Sequence, residues 1–138
     1  MPLYNFQQRF AAAIESGADV PGIVSGNAQF DSLGGAVADV DAQDTAFPWR
    51  SALADVQYDA VWHHEQATVD PGRYDRFVHK ARATLTPYVG RSGYANYADP
   101  QLRDFAPLYW GSNLARLQKV KKAYDPHNVF SWAQSVPL

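Results

Sequence analysis

Read for the spacing of its apolar positions, the chain opens with Leu3, Phe6, Phe10 and Ile14 at helical intervals and a stop at Gly17. This predicts an amphipathic helix over residues 3–16. Small and β-branched residues run from Gly22 to Phe30 and from Gly34 to Val40, bounded by glycine and aspartate. They predict two strands joined as a hairpin at Asp31-Ser32. Residues 41–51 read as a loop, since Pro48 lacks an amide donor and biases Phe47 toward an extended backbone. The clearest strand is Ala54 to His63. Val56, Tyr58, Ala60 and Trp62 share one face; Asp55, Gln57, Asp59, Val61 and His63 share the other.

Asp70 followed by Pro71 marks a helix start, and Tyr74, Phe77, Val78, Ala81 and Leu85 form its buried stripe, with an end expected before Pro87. Residues 92–98 are predicted as a strand. Ser112 or Asn113 caps a last helix whose Leu114, Leu117, Val120 and Tyr124 face inward and which stops at Asp125-Pro126. Its Arg116, Lys119, Lys121 and Lys122 read as a solvated face that suits the helix dipole. The tail from Val129 to Leu138 is expected to pack through Phe130 and Trp132. Strands alternating irregularly with two long helices describe an α+β fold, an antiparallel sheet with helices packed on one face.

Composition narrows the function classes. At 138 residues the chain is expected to form a single domain, 1–138, with one core. With 46% hydrophobic, 14% aromatic and 19% charged residues it has aromatic surface to spare for a ligand or partner. A net charge of −2 gives no electrostatic footprint for nucleic acid or an anionic membrane. The chain has no cysteine, which removes disulfides and thiol nucleophiles. No 18-residue apolar run occurs, and Met1 to Phe6 lacks a basic stretch leading into an apolar one, so a cytoplasmic protein is expected.

Four ordered blocks carry a more specific signal: Gly34-Gly35-Ala36-Val37; Thr45-Ala46-Phe47-Pro48-Trp49-Arg50; Val56-Gln57-Tyr58 with Trp62; and a C-terminal block. In that last block Tyr94-Ala95-Asn96-Tyr97-Ala98-Asp99 precedes Trp110-Gly111-Ser112-Asn113, Arg116-Leu117, Val120-Lys121 and Tyr124-Asp125-Pro126-His127-Asn128-Val129-Phe130. From about residue 34 to 138 the chain resembles the C-terminal segment of the berberine bridge enzyme-like family of FAD-linked oxidoreductases. The resemblance implies the C-terminal part of that family's substrate domain, a sheet whose open face roofs the flavin, with the flavin-binding domain itself expected to be absent. Trp49 departs from the family, which usually has histidine there, and the family's covalent cysteine link to flavin cannot be made from this chain.

The resemblance also assigns roles. The second tyrosine of Tyr-x-Asn-Tyr is a catalytic base, or its hydrogen-bonded equivalent, in many family members, which maps to Tyr97. The positions matching Asp55 and Gln57 face the substrate, and either can orient or deprotonate it. Tyr97 and Asp55 are therefore the catalytic candidates. Gln57, Asp59, Asn96, Tyr94 and Trp49 are substrate-binding candidates, and Asn96 and Tyr97 touch flavin only if a flavin-bearing partner exists. From the residues themselves, a phenol with an ordinary pKa of about 10 needs a nearby cation or donor to act as base. Asp55 and Asp59, four residues apart on a strand, are separated by about 13 Å at roughly 3.3 Å per residue and cannot form a close acid/base pair. If residues 92–98 are extended, Tyr94 and Asn96 share one face while Tyr97 points from the other. His63-His64 point opposite ways on a strand and find no third ligand, so no metal is expected. Gly34-Gly35 opens no phosphate loop.

Three readings compete. In the first, the chain is the substrate-domain component of an FAD-linked oxidoreductase that oxidises a small-molecule alcohol, with FAD held by another polypeptide and not by this chain alone. Sugars, polyketides and alkaloids, the material of secondary metabolism, are all used in the family. In the second, a flavin-free isomerase, cyclase, dehydratase or binding protein retains the substrate pocket. In the third, an interaction module or a degenerate fragment whose motifs only preserve packing covers an apolar sheet face by forming a homodimer.

Overall fold

The computed structural model describes residues 8, 11, 12, 23–63 and 72–138. Residues 8, 11 and 12 are helical, within the span predicted for the first helix. The rest of that span, the Asp70-Pro71 helix start and His64 lie outside the described residues. The chain divides into two compact units, Met1–Asp31 with Val56–Gly90, and Ser32–Asp55 with Arg91–Leu138.

Strand β1 (Ile23–Ser32) pairs with β2 (Ala54–Trp62) in a two-stranded antiparallel sheet. The predicted hairpin with residues 34–40 does not form. Leu33 instead donates its amide to the Leu53 carbonyl at 3.1 Å, beside the Ser32–Ala54 end of the ladder. Gly35–Val37 forms a single 3₁₀ turn. Gly35 takes φ +63°, a conformation glycine adopts freely, and this turns the chain where a strand would have had to continue. β2 therefore pairs with β1 across the 3₁₀ turn and the loop between them.

Helix α1 (Gly72–Val89) covers the sheet in the first unit. Tyr74, Phe77, Ala81 and Leu85 are buried at intervals of three and four, so they form one stripe, as the sequence predicts. Trp62 of β2 stacks on Tyr74 with ring centroids 4.3 Å apart and planes within 7°. The Phe77 ring sits where a side chain at Gly26 of β1 would be, its Cζ only 2.5 Å from the position of a β-carbon there. A helix can approach a strand this closely only where the strand offers no side chain. The helix does not end before Pro87 but runs through it. So near the C-terminus the proline forfeits one backbone hydrogen bond, and the end is set instead by Gly90 at φ +83°, whose amide donates to the Thr86 carbonyl at 2.9 Å.

The second unit is built around Leu102, Tyr109 and Trp110, with Ala95, Phe105, Leu108, Leu114, Leu117 and Val136 packed against them. Helix α2 (Phe105–Trp110) was not predicted; it leads through a 3₁₀ turn, Gly111–Asn113, into α3 (Leu114–Tyr124). Three expectations fail here. Residues 92–98 form a turn, not a strand. Val120 and Tyr124 are exposed, so only the first half of α3 faces the core. The tail packs through Gln134 and Val136 while Phe130 and Trp132 stand in solvent, because Gln134 can satisfy backbone carbonyls that the aromatics cannot. No helix among the described residues is long and apolar enough to cross a membrane.

Candidate functional site

The turn at residues 94–97 gathers the aromatic and amide side chains that the sequence nominates. The Tyr97 amide donates to the Tyr94 carbonyl at 2.9 Å, closing the turn. The rule of alternating faces then no longer applies, and the rings of Tyr94 and Tyr97 meet edge to face with centroids 5.3 Å apart. Phe47 approaches Tyr94 on the same pattern at 5.5 Å. Asn96 donates from Nδ2 to the Tyr94 hydroxyl at 2.9 Å. The result is an aromatic row, Phe47, Tyr94 and Tyr97, with Tyr97 close to half exposed and a carboxamide beside it. Edge-to-face pairs of this kind orient rings as well as bury them.

What holds the row is a set of long-range bonds from side chains to backbone. Trp49 donates its indole N–H to the Gly93 carbonyl at 3.1 Å, and the Gly93 amide donates to Leu108 at 2.8 Å. The Trp49 ring reaches to 3.0 Å from where a β-carbon at Gly111 would lie, and Gly111 has φ +46°. The one polar atom of Trp49 is thus committed to the scaffold. Arg50 lies over the Phe47 ring at 5.1 Å and donates to the Val37 and Phe47 carbonyls and to the Thr45 hydroxyl, fixing the loop that carries Phe47. Asn113, the residue expected to cap α3, donates from Nδ2 to the carbonyls of Ala42 and Thr45 at 2.6 and 3.0 Å.

On the far side of the turn, the buried Tyr109 hydroxyl accepts the Asp99 amide at 3.0 Å and donates to Gln134 Oε1 at 3.0 Å. Gln134 Nε2 donates to the carbonyls of Asp99 and Leu102 at 2.6 and 3.1 Å. The segment that follows Tyr97 is therefore clamped to the tail. Sequence reading passed over Phe47, Tyr109 and Gln134 because none has a periodic signature. The visible signal was only a single glutamine among the aromatic and aliphatic residues of the tail.

Of the remaining candidates, Asp55 is half-buried near the start of β2 and closes the first segment of the second unit. Gln57 and Asp59 belong to the first unit and are bonded to each other, Gln57 Nε2 donating to Asp59 Oδ1 at 2.9 Å. That bond is the i, i+2 neighbour contact expected on one strand face. Tyr58 points from the other face. Its hydroxyl is buried with no hydrogen-bond partner among the described residues. Burial pushes its pKa up, a shift that the Arg82 charge partly opposes. Lys121, read as part of a solvated face, instead forms an ion pair with Asp125 in which both side chains are about nine-tenths buried. The Lys121 hydrogen bond, aided by the amides of Val129 and Phe130, holds the Asp125 carboxyl below its ordinary pKa.

The arrangement can stack a ring-bearing molecule on Tyr97 and donate or accept hydrogen bonds at Asn96 and the two phenols. It lies on an open turn.

Residues 93–137 match the family profile described as "Berberine and berberine like". An uncharacterised FAD-linked oxidoreductase of Bacillus subtilis, YvdP, is 37% identical over 108 residues, which cover 78% of this chain and 23% of the relative. A chitooligosaccharide oxidase of Gibberella zeae is 34% identical over 114 residues, again 78% of this chain and 23% of the relative. Among solved structures, a glycopeptide hexose oxidase complexed with teicoplanin superposes with a TM-score of 0.79 at 30% identity, covering 94% of this chain and 29% of that one. The C-terminal segment of the chain is thus a berberine-like segment, and over most of its length the chain is similar to part of the FAD-linked oxidoreductases of that family. It spans about a quarter of the length of the curated relatives it matches.

Proposed function

We propose that this chain is the substrate-side component of an FAD-linked oxidoreductase that oxidises a hydroxyl of a small-molecule alcohol, with the flavin held by another polypeptide. The observation that carries the reading is the aromatic row ending in the half-exposed Tyr97, in a chain related throughout its C-terminal segment to FAD-linked oxidases. A sugar is the favoured alcohol. Two of the relatives are named for oxidising carbohydrates, and exposed aromatic faces beside amide donors suit sugar rings, which present apolar C–H surfaces edged by hydroxyls.

Oxidation of a carbinol removes a proton from oxygen and a hydride from carbon. The flavin, when bound, supplies the hydride acceptor. The work of this chain is the proton and the pose. Tyr97, given the nearby cation or donor that a phenol needs, takes the hydroxyl proton as general base, Asp55 assists it as a second acceptor, and Asn96 and Tyr94 orient the remaining hydroxyls. Trp49 contributes to the same wall through its ring while its N–H holds the Gly93 carbonyl at the start of the turn.

The test is purification of the chain with its flavin-bearing partner, followed by anaerobic mixing with a sugar and observation of flavin bleaching. Tyr97→Phe is expected to slow bleaching by about 10²–10⁴, the usual worth of a positioned base, while the complex and its flavin content stay intact. An unaltered rate removes Tyr97 from the chemistry. A purified native complex that contains no flavin removes the oxidoreductase reading altogether.

A further inference from the structure

The segment that carries Tyr94, Asn96 and Tyr97 is bracketed by Gly93 and Asp99, and one buried side chain touches both of those residues. It is Tyr109 of α2, 3% exposed. At the start of the segment its ring lies so close to Gly93 that Cδ1 and Cε1 are each 2.9 Å from where a β-carbon on that glycine would sit. A larger residue there would have to push the ring away. At the end of the segment the Tyr109 hydroxyl accepts the Asp99 amide at 3.0 Å. That oxygen is itself anchored, because it donates to Gln134 Oε1 at 3.0 Å while Gln134 Nε2 donates to the Asp99 carbonyl at 2.6 Å. The backbone beside the ring closes the frame, the Gly93 amide donating to the carbonyl of Leu108, the residue before Tyr109. A tyrosine side chain has only two torsions, and here the ring and the oxygen are both held. It is a strut between the two ends.

We infer that Tyr109 is the positioning residue of the aromatic row and sets, from the core, the pose in which Tyr97 meets a substrate ring, an inference that rests on the function proposed above. The Tyr97 ring is oriented by the edge of Tyr94 and its backbone by the amide bond to the Tyr94 carbonyl, and Tyr94 directly follows Gly93. A shift at either end of the segment is therefore passed on to the half-exposed phenol. Groups that act on a substrate need this kind of support, since a misplacement of about 1 Å can cost about a hundredfold in rate. Tyr109 is buried and acts only through the turn. The strut also explains why a turn with an exposed ring at its tip is built over a buried aromatic carrying a hydroxyl rather than over a plain apolar side chain: a phenylalanine would press on Gly93 equally well but would leave Asp99 ungripped.

The experiment labels the tyrosine rings of the full chain with a heavy carbon isotope, assigns the Tyr94 and Tyr97 signals through Tyr94→Phe and Tyr97→Phe, and follows their ring-to-ring cross-peak and their response to chitotriose by NMR. Tyr109→Phe keeps the ring against Gly93 and removes the grip on Asp99. It should shift the Tyr97 signal, weaken the Tyr94–Tyr97 cross-peak and lower the affinity for chitotriose about tenfold, the equivalent of one net hydrogen bond. Gly93→Ala presses a methyl on the same ring from the other end and should move the same signals, so the test does not depend on one variant folding. Leu85→Ala is the control, since it lowers stability through the core of the first unit and should leave the Tyr97 signal and its sugar response as in wild type. If Tyr109→Phe behaves like that control, with a lower melting temperature but Tyr97 unmoved, the positioning role is overturned and the oxidoreductase reading stands. Movement in Gly93→Ala alone likewise overturns it, because the hydroxyl then has no part in the grip. A wild-type Tyr97 signal that ignores chitotriose yet moves in Tyr109→Phe removes the sugar reading and keeps Tyr109 as the residue that places Tyr97.

Discussion

In the first unit an 18-residue helix closes over two strands through an apolar stripe, whereas in the second unit two short helices and three loops are tied together by side chains that reach backbone carbonyls far away in sequence. The first arrangement is non-directional: Tyr74, Phe77, Ala81 and Leu85 lose water, and any residue of similar shape would serve. The second is directional. Asn113, Trp49, Tyr109 and Gln134 each satisfy one or more particular groups across 25 to 71 positions of sequence, and those groups have no substitute. The nominated chemistry sits on the directional unit. A turn bearing Tyr94, Asn96 and Tyr97 must be held in one conformation to be useful, and hydrogen bonds specify conformation more narrowly than apolar contact does.

The largest expected effect tests the apolar side of that contrast. Leu85 is fully buried, so Leu85→Ala should destabilise the chain by about 2–5 kcal/mol through lost transfer energy and the cavity left behind. Urea unfolding measures it. Leu85→Met should recover most of the loss, because volume is what the site requires. A loss of stability with Met as large as with Ala would contradict a non-directional core.

The directional side predicts the opposite pattern. Gln134→Leu keeps the volume but takes the acceptor from the Tyr109 O–H and a donor from the carbonyls of Asp99 and Leu102, and a buried group left unsatisfied costs about 1–3 kcal/mol. Gln134→Glu, nearly the same shape, removes the donor and should not rescue. Hydrogen exchange at the Asp99 and Leu102 amides would locate the damage at the clamp that follows Tyr97. If the leucine variant is as stable as wild type, the clamp is incidental.

This contrast also explains what could be read from the sequence. The stripe of α1 and the alternation of β2 were legible because period 3.6 and period 2 are local signals. Membership of an α+β fold followed from them. The aromatic row was half legible. Tyr94, Asn96 and Tyr97 were nominated by resemblance, yet on a strand that would have separated them; the turn that unites them depends on Trp49 and Leu108, whose partnership no local pattern reports. Phe130 and Trp132 were assigned to the core because large aromatics are usually buried, and Lys121 to solvent because lysine usually is. Both residue types are placed against their usual preference, Lys121 because it pairs with Asp125 and the aromatics because Gln134 and Val136 pack the tail.

That pair has a pH signature. The Asp125 carboxyl is held below its ordinary pKa, first by the Lys121 hydrogen bond, so its contribution is present above the unfolded value and is lost as pH falls through the folded one. Below about pH 4 the loop at 126–130 should open to protease while the first unit's helix remains protected. Asp125→Asn should open it at neutral pH and flatten the response. A cleavage rate independent of pH in both proteins would separate the loop from the ion pair.

The smallest effect concerns the polar atom in the first unit that breaks its own rule. The Tyr58 hydroxyl is buried without a partner among the described residues, on the face of β2 shared with Trp62. Tyr58→Phe should therefore be neutral or stabilise by up to about 1 kcal/mol, since it removes a desolvated group that makes no compensating bond. Burial raises the Tyr58 pKa, so its neutral form contributes fully at ordinary pH and the contribution fades as pH rises past the unfolded value of about 10. The phenylalanine variant should then lose less stability than wild type between pH 9 and about 11. A clear destabilisation at neutral pH would instead mean that the hydroxyl is bonded to a trapped water, and that the first unit also relies on one directional contact.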